Sequence, residues 1–331
     1  MSKNTILVLS QSQIKRIIPL MEIKRVMERV EKAFFSYGQK KVQMPCKTYL
    51  YFKKYNGDLR VMPSFASELD MAGTKIVNVH PENPKKGLPT VMAAIILNDA
   101  KTGLPVALLD GTYITGMRTG AAGGVASKYL ARKDAKTLGV VGAGVQSLFQ
   151  IVAICQVRKI KEIFVSDINQ EQIKWLSKQL KCLNLKIKKA SLEEVAHQDI
   201  LVTVTPSTKP IIKKEWIKSG THINAIGADA QGKEELDPMI LKTGKIFIDD
   251  WDQASHSGEI NVPFKKGIIK EKDISASFGE VVSGQKPGRT KDNEITIFDS
   301  TGLAIQDLFT AELVYQIAKK KGMGQKINLI D

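Results

Sequence analysis

Cysteine is scarce. Cys46, Cys155 and Cys182 are the only three in 331 residues, with no C-x-x-C spacing and no register with the four histidines. That argues against a disulfide framework and against a zinc site, which need clustered ligands, so no metal is expected. Long apolar runs are also missing: no stretch approaches the roughly 20 residues of a membrane span. The first residues lack the apolar run and small-residue cleavage site of a secretory leader. The expectation is a cytoplasmic chain without a membrane partner. Acidic residues are few beside basic ones, 34 against 49, leaving a formal charge of +15. Forty-one of those 49 are lysine, scattered in pairs such as Lys40-Lys41, Lys85-Lys86, Lys188-Lys189 and Lys265-Lys266. With aromatics at 6% and no basic stripe interleaved with them, no nucleic-acid partner is expected. An anionic substrate would still profit from the positive field.

What is present is enough apolar material, 43% of the chain, to bury a full core in two domains. Residues 11–37 carry Val26, Val30, Ala33, Phe34 and Tyr37 at helical spacing. A β region follows: "KTYLYF" alternates, "YNGD" supplies an Asn-Gly hairpin turn, and "LRVMPSF" leads to "GTKIVNVH". Two more strands lie near 90–97 and 105–109, making a mainly antiparallel sheet with a helix on it. From about residue 112 short apolar strands alternate with helices: "TLGVVG", "EIFVSD", "DILVTVT", "HINAIG", "KIFIDD" and "EITIFD". Strands joined by helical crossovers specify an α/β doubly wound parallel sheet of Rossmann type. The last helix, 302–320, is expected to return to the first domain. The division expected is 1–118 with 303–331 around an inserted nucleotide-binding domain, 119–302.

The stretch "TLGVVGAGVQSLFQ" opens like a dinucleotide-binding turn, with Gly142 and Gly144 in place and Ser147 where the third glycine of the pattern would stand. The turn follows an apolar strand and opens a helix. The next strand ends in Asp167, twenty residues after Ser147. An acid there accepts hydrogen bonds from ribose hydroxyls and repels a 2′-phosphate. Ile168 and Asn169 follow it with no cation, which favours NAD over NADP. The first two glycines give the tight turn and the close approach to a pyrophosphate; the third only lets helix and strand pack closely, where serine is tolerable. Polar residues also gather at the C-terminal strand ends: Thr205 and Ser207, Gly227 and Asp229, Ser300 and Thr301.

In the other half, alternation puts Lys75 on the face shared by Val77 and Val79. Such a lysine either snorkels at an edge or is held with a lowered pKa for proton transfer. Lys47 and Arg60 sit among apolar neighbours too. Arg118 opens a helix rich in glycine and alanine, which suits either the approach of an anion or a surface ion pair.

"GLPTVMAAIIL", "MRTGAAGGVASKYLA", "GVVGAGVQ", "THINAIGADAQGKEELD" and "EITIFDSTGLAIQD" together resemble the ornithine cyclodeaminase and μ-crystallin family, most of all its archaeal alanine dehydrogenase branch. The resemblance implies a Rossmann domain inserted into an α/β dimerisation and substrate domain. It also implies a homodimer, NAD in the crevice, and an amino or imino acid between the domains. By position it makes Lys75 and Asp229 the catalytic pair, with Lys47, Arg60, Arg118 and Thr301 toward a small amino acid or 2-oxo acid. It places Thr90, Arg118, Gly142, Gly144, Val145, Gln146, Asp167, Ile168, Thr205, Ser207, Ile226, Gly227, Lys233 and Ser300 around the cofactor.

Two positions depart from the wider family. Cyclodeaminases carry an acid before the Met-Pro that precedes the lysine strand, whereas this chain has Arg60-Val61-Met62-Pro63. A guanidinium there disfavours a second ammonium group and favours a short substrate. Lys47 stands where several relatives have arginine. The expected activity is NAD-dependent oxidative deamination of L-alanine. The alternatives are an ornithine or lysine cyclodeaminase, a cyclic-imine reductase, or a μ-crystallin-like binding protein, against which the presence of both Lys75 and Asp229 speaks.

Overall fold

The computed structural model describes residues 5–181 and 184–328; Cys182 lies outside them. The chain divides into two compact units, Met1–Arg118 with Leu303–Asp331, and Thr119–Gly302. The first begins with β1 (Thr5–Leu9), α1 (Gln11–Ile17) and α2 (Ile23–Gly38). Helical spacing predicts one helix over 11–37, but the structure breaks it at Ile18-Pro19. Proline has no N–H to donate and holds the residue before it extended, and Ile18 has φ −132° and ψ 86°. Beyond the break, α2 buries Ile23, Val26, Met27, Val30, Ala33 and Phe34.

Strands β2 (Val42–Gln43), β3 (Thr48–Phe52), β4 (Gly57–Ala66), β5 (Met71–Val79), β6 (Val91–Asp99) and β7 (Pro105–Asp110) follow, then α3 (Gly111–Leu130). The β3–β4 hairpin forms, with Phe52 opposite Gly57. Its turn is longer than an Asn-Gly pair: a short 3₁₀ segment precedes Asn56, which takes the left-handed conformation at φ 45°. Asparagine is one of the few side chains that tolerates that region.

The second unit holds β8 (Thr137–Val141), α4 (Val145–Val157), β9 (Glu162–Ser166), α5 (Gln170–Leu180), β10 (Ile187–Lys189), α6 (Leu192–Ala196) and β11 (Ile200–Thr203). Next come β12 (Thr208–Ile212), β13 (His222–Ala225), β14 (Glu234–Leu236), α7 (Pro238–Thr243), β15 (Lys245–Ile248), α8 (Trp251–Ser257) and α9 (Asn261–Lys265). β16 (Ile274–Ser277), α10 (Phe278–Val282) and β17 (Thr296–Asp299) complete it. Its main sheet is parallel throughout, in the order β10-β9-β8-β11-β13-β17-β15-β16. All six expected strands are present; β10 and β16 extend the two edges, and β12 pairs with β14 apart from the sheet. Strand order reverses between β8 and β11, and the crevice outside such a reversal is where open α/β sheets bind ligands. Ala225, Ile223, Leu201, Ile246 and Ile297 are among the buried core side chains.

Within this unit the small residues of α3 serve packing. A Cβ on Gly120 would sit 2.6 Å from the Phe149 backbone, and one on Gly123 would sit 1.9 Å from Gln150 Oε1. The glycines after Arg118 therefore let α3 lie against α4 rather than make room for an anion.

The chain then returns to the first unit as α11 (Ala304–Lys321) and β18 (Gln325–Asn328). The completed sheet runs β18-β1-β7-β6-β5-β4-β2, with β3 also on β4. The β1–β7 pair is parallel and the remainder antiparallel. α11 packs on α2 and on β4, β5 and β6. The side chains alternating away from that face include Ile76, Ile96 and Leu108, 37%, 39% and 38% exposed. Among the described residues no helix is long and apolar enough to cross a membrane.

Candidate active site

Alternation along β5 turns Met71, Gly73, Lys75 and Val77 toward the buried side. Lys75 is 2% exposed, and its cross-strand neighbours are Met62 on β4 and Ile95 on β6. A lysine in apolar surroundings needs a partner to stay charged. That partner is Asp307 on α11: Lys75 Nζ lies 2.7 Å from Asp307 Oδ2. Asp307 Oδ1 accepts from Arg118 Nε at 3.0 Å, and Arg118 Nη1 donates to Gln306 Oε1 at 3.0 Å. One carboxylate thus bridges two buried cations. Burial pulls the Lys75 ammonium down from the ordinary lysine range to about 7, and repulsion by Arg118 adds to it. Attraction and a hydrogen bond from Asp307 oppose the shift, and Lys47 repels further.

Of the four cations named from sequence in this unit, Lys47 and Arg118 thus both act on Lys75. Arg60 is 5% exposed, and its Nε and Nη2 are committed to Asp58 at 2.9 and 3.1 Å. Its guanidinium lies 5.4 Å from the centre of the Tyr49 ring. Asp58 therefore compensates the charge that sequence reasoning assigned to repelling a distal amine. Beside Lys75 is a small apolar cluster of Met62, Val77 and Ala304, with Met44, Val91 and Ala93 against it. Thr90 lies in the loop before β6, and its carbonyl accepts from His80 N at 2.8 Å.

In the second unit the glycine turn joins β8 to α4. Gly142 has φ +97°, a conformation side-chain-bearing residues avoid, and a Cβ there would crowd Val204 O at 3.0 Å. Gly144 differs, since a Cβ on it would meet nothing within 4 Å. Space is open there, and α4 begins at Val145 with no side-chain cap and no acid in its first turn. An uncapped helix start next to a bare backbone suits a phosphate. Ser147 is fully buried and its hydroxyl donates to the Gly144 carbonyl, so serine at the third position ties down the turn. Asp167 Oδ2 accepts from Ala143 N at 2.6 Å, inside the glycine turn, and Oδ1 accepts from Asn169 N at 2.7 Å. Val145 and Ile168 flank this region in sequence, both largely exposed.

The remaining positions gather at strand ends. Thr205 follows β11, and its N and Oγ1 both donate to Glu235 Oε1 at 2.7 Å. Ser207 closes its own loop, donating to the Lys209 carbonyl. Asp229 Oδ1 accepts from Lys233 Nζ at 2.6 Å, and Ile226 and Gly227 lead into that loop. Ser300 is buried with no hydrogen-bond partner for Oγ, whereas the Thr301 hydroxyl is spent on Asp249. Among the described residues no group of His, Cys, Asp and Glu is arranged to hold a metal ion.

Sequence reasoning missed Asp307, Asp58 and Glu235. Asp307 had a signal: an acid within the apolar run "GLAIQDLF" demands a buried partner. Glu235 had none, because "GKEELD" reads as a solvated turn.

Residues 7–322 match the family model described as the ornithine cyclodeaminase/mu-crystallin family. The alanine dehydrogenase of Archaeoglobus fulgidus is 50% identical over 321 residues, 97% of this chain and 98% of that protein. A solved archaeal alanine dehydrogenase dimer with bound NAD is 48% identical, with TM-score 0.94, covering 98% of this chain and 100% of that one. The Thermococcus litoralis Δ1-pyrroline-2-carboxylate reductase, solved with NADH and L-proline, is 43% identical with TM-score 0.94, over 97% and 100% of the two chains.

The Lys75 environment sets a pH dependence. From about pH 7 to its ordinary value of 10.5, the folded chain leaves Lys75 neutral while the unfolded chain keeps it protonated. Unfolding free energy therefore rises with pH across that window and gains nothing from this group below it. Urea unfolding at pH 7, 8 and 9 should show wild type gaining on Lys75→Met by up to about 1.4 kcal/mol per pH unit. Parallel curves would mean that Lys75 titrates normally.

Proposed function

The chain belongs to the ornithine cyclodeaminase/mu-crystallin family, and from that premise we propose that it is an NAD-dependent amino-acid dehydrogenase acting on L-alanine. The reaction converts alanine, NAD and water to pyruvate, ammonium, NADH and a proton, and runs in reverse as reductive amination. The observation that carries this reading is the Lys75 cluster: Lys75 and Arg118 share the carboxylate of Asp307, and Lys47 adds a third positive charge that acts on Lys75, beside a small apolar patch. Excess positive charge suits a substrate carboxylate, and the patch suits a methyl group. Asp307 is held by Lys75 and Arg118 and Asp58 is engaged by Arg60, so neither acid is spare for the distal ammonium of ornithine. The sequence identity to the Archaeoglobus fulgidus enzyme supports the same choice.

When bound, the dinucleotide supplies a hydride acceptor for Cα. The chain's own residues do the rest. Arg118 and Lys47 hold the substrate carboxylate. Lys75, with its pKa near 7, takes at Nζ the proton that the α-ammonium must lose before Cα can be oxidised. Asp229, held by Lys233, is assigned the proton of the water that adds to the imine carbon. The Gly142–Gly144 turn and the start of α4 take the pyrophosphate, Asp167 the adenosine ribose, and Val145 and Ile168 the apolar surface an adenine requires.

A second reading is a cyclic-imine reductase, favoured by the 43% identity to the Thermococcus litoralis enzyme solved with L-proline. Its product also pairs one carboxylate with an apolar body. A homodimer is proposed for either reading, because Ile76, Ile96 and Leu108 leave an apolar sheet face uncovered.

NADH absorbance should rise with L-alanine and NAD, and pyruvate should accumulate with it. A rise with L-proline alone would favour the second reading, and proline formed from ornithine without net NADH would contradict both. Lys47→Ala should raise the Michaelis constant for alanine about ten- to a hundredfold, the value of a charge-assisted contact, with NAD affinity unchanged. Unchanged alanine kinetics would remove Lys47 from the carboxylate site. Sedimentation at micromolar concentration should give a dimer, and a monomer would leave the exposed sheet face unexplained.

A further inference from the structure

The loops assigned to the dinucleotide stand at the ends of separate strands, and separate loops drift unless something ties them. In the second unit the tie is a set of buried acids. Glu235, on β14 and fully buried, accepts through Oε1 from Thr205 N and Oγ1 at 2.7 Å, and through Oε2 from Gly227 N at 3.1 Å. One carboxylate therefore spans the loops that follow β11 and β13. Behind it Glu259 Oε1 accepts from Glu235 N and Leu236 N at 2.8 and 2.7 Å, fixing the strand from which Glu235 projects. Behind that, Asp299 at the end of β17 accepts from Glu259 N and Ile260 N at 2.9 and 3.0 Å. The series runs from the end of β17 to the ends of β11 and β13, with each acid holding the backbone that carries the next.

Two glycines are explained by it. A Cβ on Gly227 would lie 2.4 Å from Glu235 Oε2 and 2.3 Å from Thr205 O, and one on Gly258 would lie 2.6 Å from both Asp299 carboxylate oxygens. Neither has the left-handed backbone that otherwise calls for glycine; what each provides is room for a carboxylate. Burial pushes the Glu259 carboxyl well above the usual carboxylate range, and the charge of Glu235 pushes it further. Burial pushes the Glu235 carboxyl up as well, and the hydrogen bonds it accepts from Thr205 and Gly227 oppose that shift. The acids hold backbone N–H groups, and no metal cluster is present among the described residues.

We propose that Glu235 is the positioning residue of the dinucleotide crevice, holding the Thr205 and Gly227 loops in the arrangement that receives the cofactor, with Glu259 and Asp299 as its backing. The proposal rests on the dinucleotide reading above. Glu235 need not touch the cofactor; it acts through Thr205 and Gly227. Glu235→Gln keeps the size but puts an amide N–H where a second acceptor is needed, so one of the two loops meets a donor facing a donor.

The test is NADH binding by titration of its fluorescence, with unfolding midpoints measured on the same proteins. Glu235→Gln should weaken NADH about tenfold or more at a temperature where it is fully folded. Thr205→Val should weaken it as well. The double variant should lose no more than about twofold beyond Glu235→Gln, because the two side chains act as one unit. Should Glu235→Gln fail to fold, Glu235→Asp serves instead: its carboxylate is one methylene too short to span both loops, and NADH affinity should fall again. Unchanged affinity in a folded Glu235 variant, or losses that multiply in the double variant, would overturn the proposal while leaving the cofactor reading intact. Wild-type protein without NADH affinity would overturn the cofactor reading and this proposal with it.

Discussion

A lysine that is 2% exposed on the inner face of a sheet is costly unless it is paired, and the first unit is organised around that demand. Strand alternation leaves Lys75 no other direction. The compensating charge has to come from another element, and α11 brings Asp307 to 2.7 Å of the ammonium. Because Asp307 also holds Arg118, the cluster keeps a positive excess in which a neutral and a charged lysine are close in free energy. A carboxylate arriving among these cations would find charge that is already desolvated, and such charge binds more strongly than the same groups in water. The same desolvation brings Lys75 to about 7, where one side chain can both attract an anion and exchange a proton near neutral pH.

The second unit solves a different problem. A dinucleotide needs bare backbone, a helix start and several loops held in fixed relation, and the parallel sheet supplies the first two where its strand order turns between β8 and β11. Gly142 is needed for its conformation and Gly144 for its empty surroundings, so the two glycines of one motif are selected by different constraints. Loop spacing is not set by the sheet alone. Asp167 reaches back to Ala143, Glu235 spans two loops, and Asp249 takes the N–H groups of Thr301 and Gly302. Acids at these strand ends bind backbone first, which is economical where a bound anion must not meet loose negative charge.

Much of this was legible in the sequence. The six strands of the parallel sheet announce themselves as short apolar runs that end in polar residues, and Lys75 is visible because a lysine interrupts "GTKIVNV". What was hidden has physical reasons. β10 and β16 are short edge strands with half-exposed faces and lack a buried pattern. The break at Pro19 lies inside a helical spacing that continues across it. Asp307 could be seen only as an acid that needs a partner, and the partner is more than 200 residues away along the chain. Glu235 leaves no trace in composition or period, since its burial follows from contacts among three separate strand ends. Arg60 was legible as a cation among apolar neighbours, and strand alternation puts Asp58, two residues before it, on the same face, so this pair too was legible in the strand period.

The proposed reaction oxidises Cα of an amino acid and passes its hydrogen to the dinucleotide in net turnover. The most direct measurement uses L-alanine deuterated at Cα, with mass spectrometry of the reduced dinucleotide and of the organic product. Deuterium recovered in the reduced dinucleotide, with pyruvate free of it, is the predicted result. Deuterium retained in the amino acid, with no reduced dinucleotide formed, would contradict it.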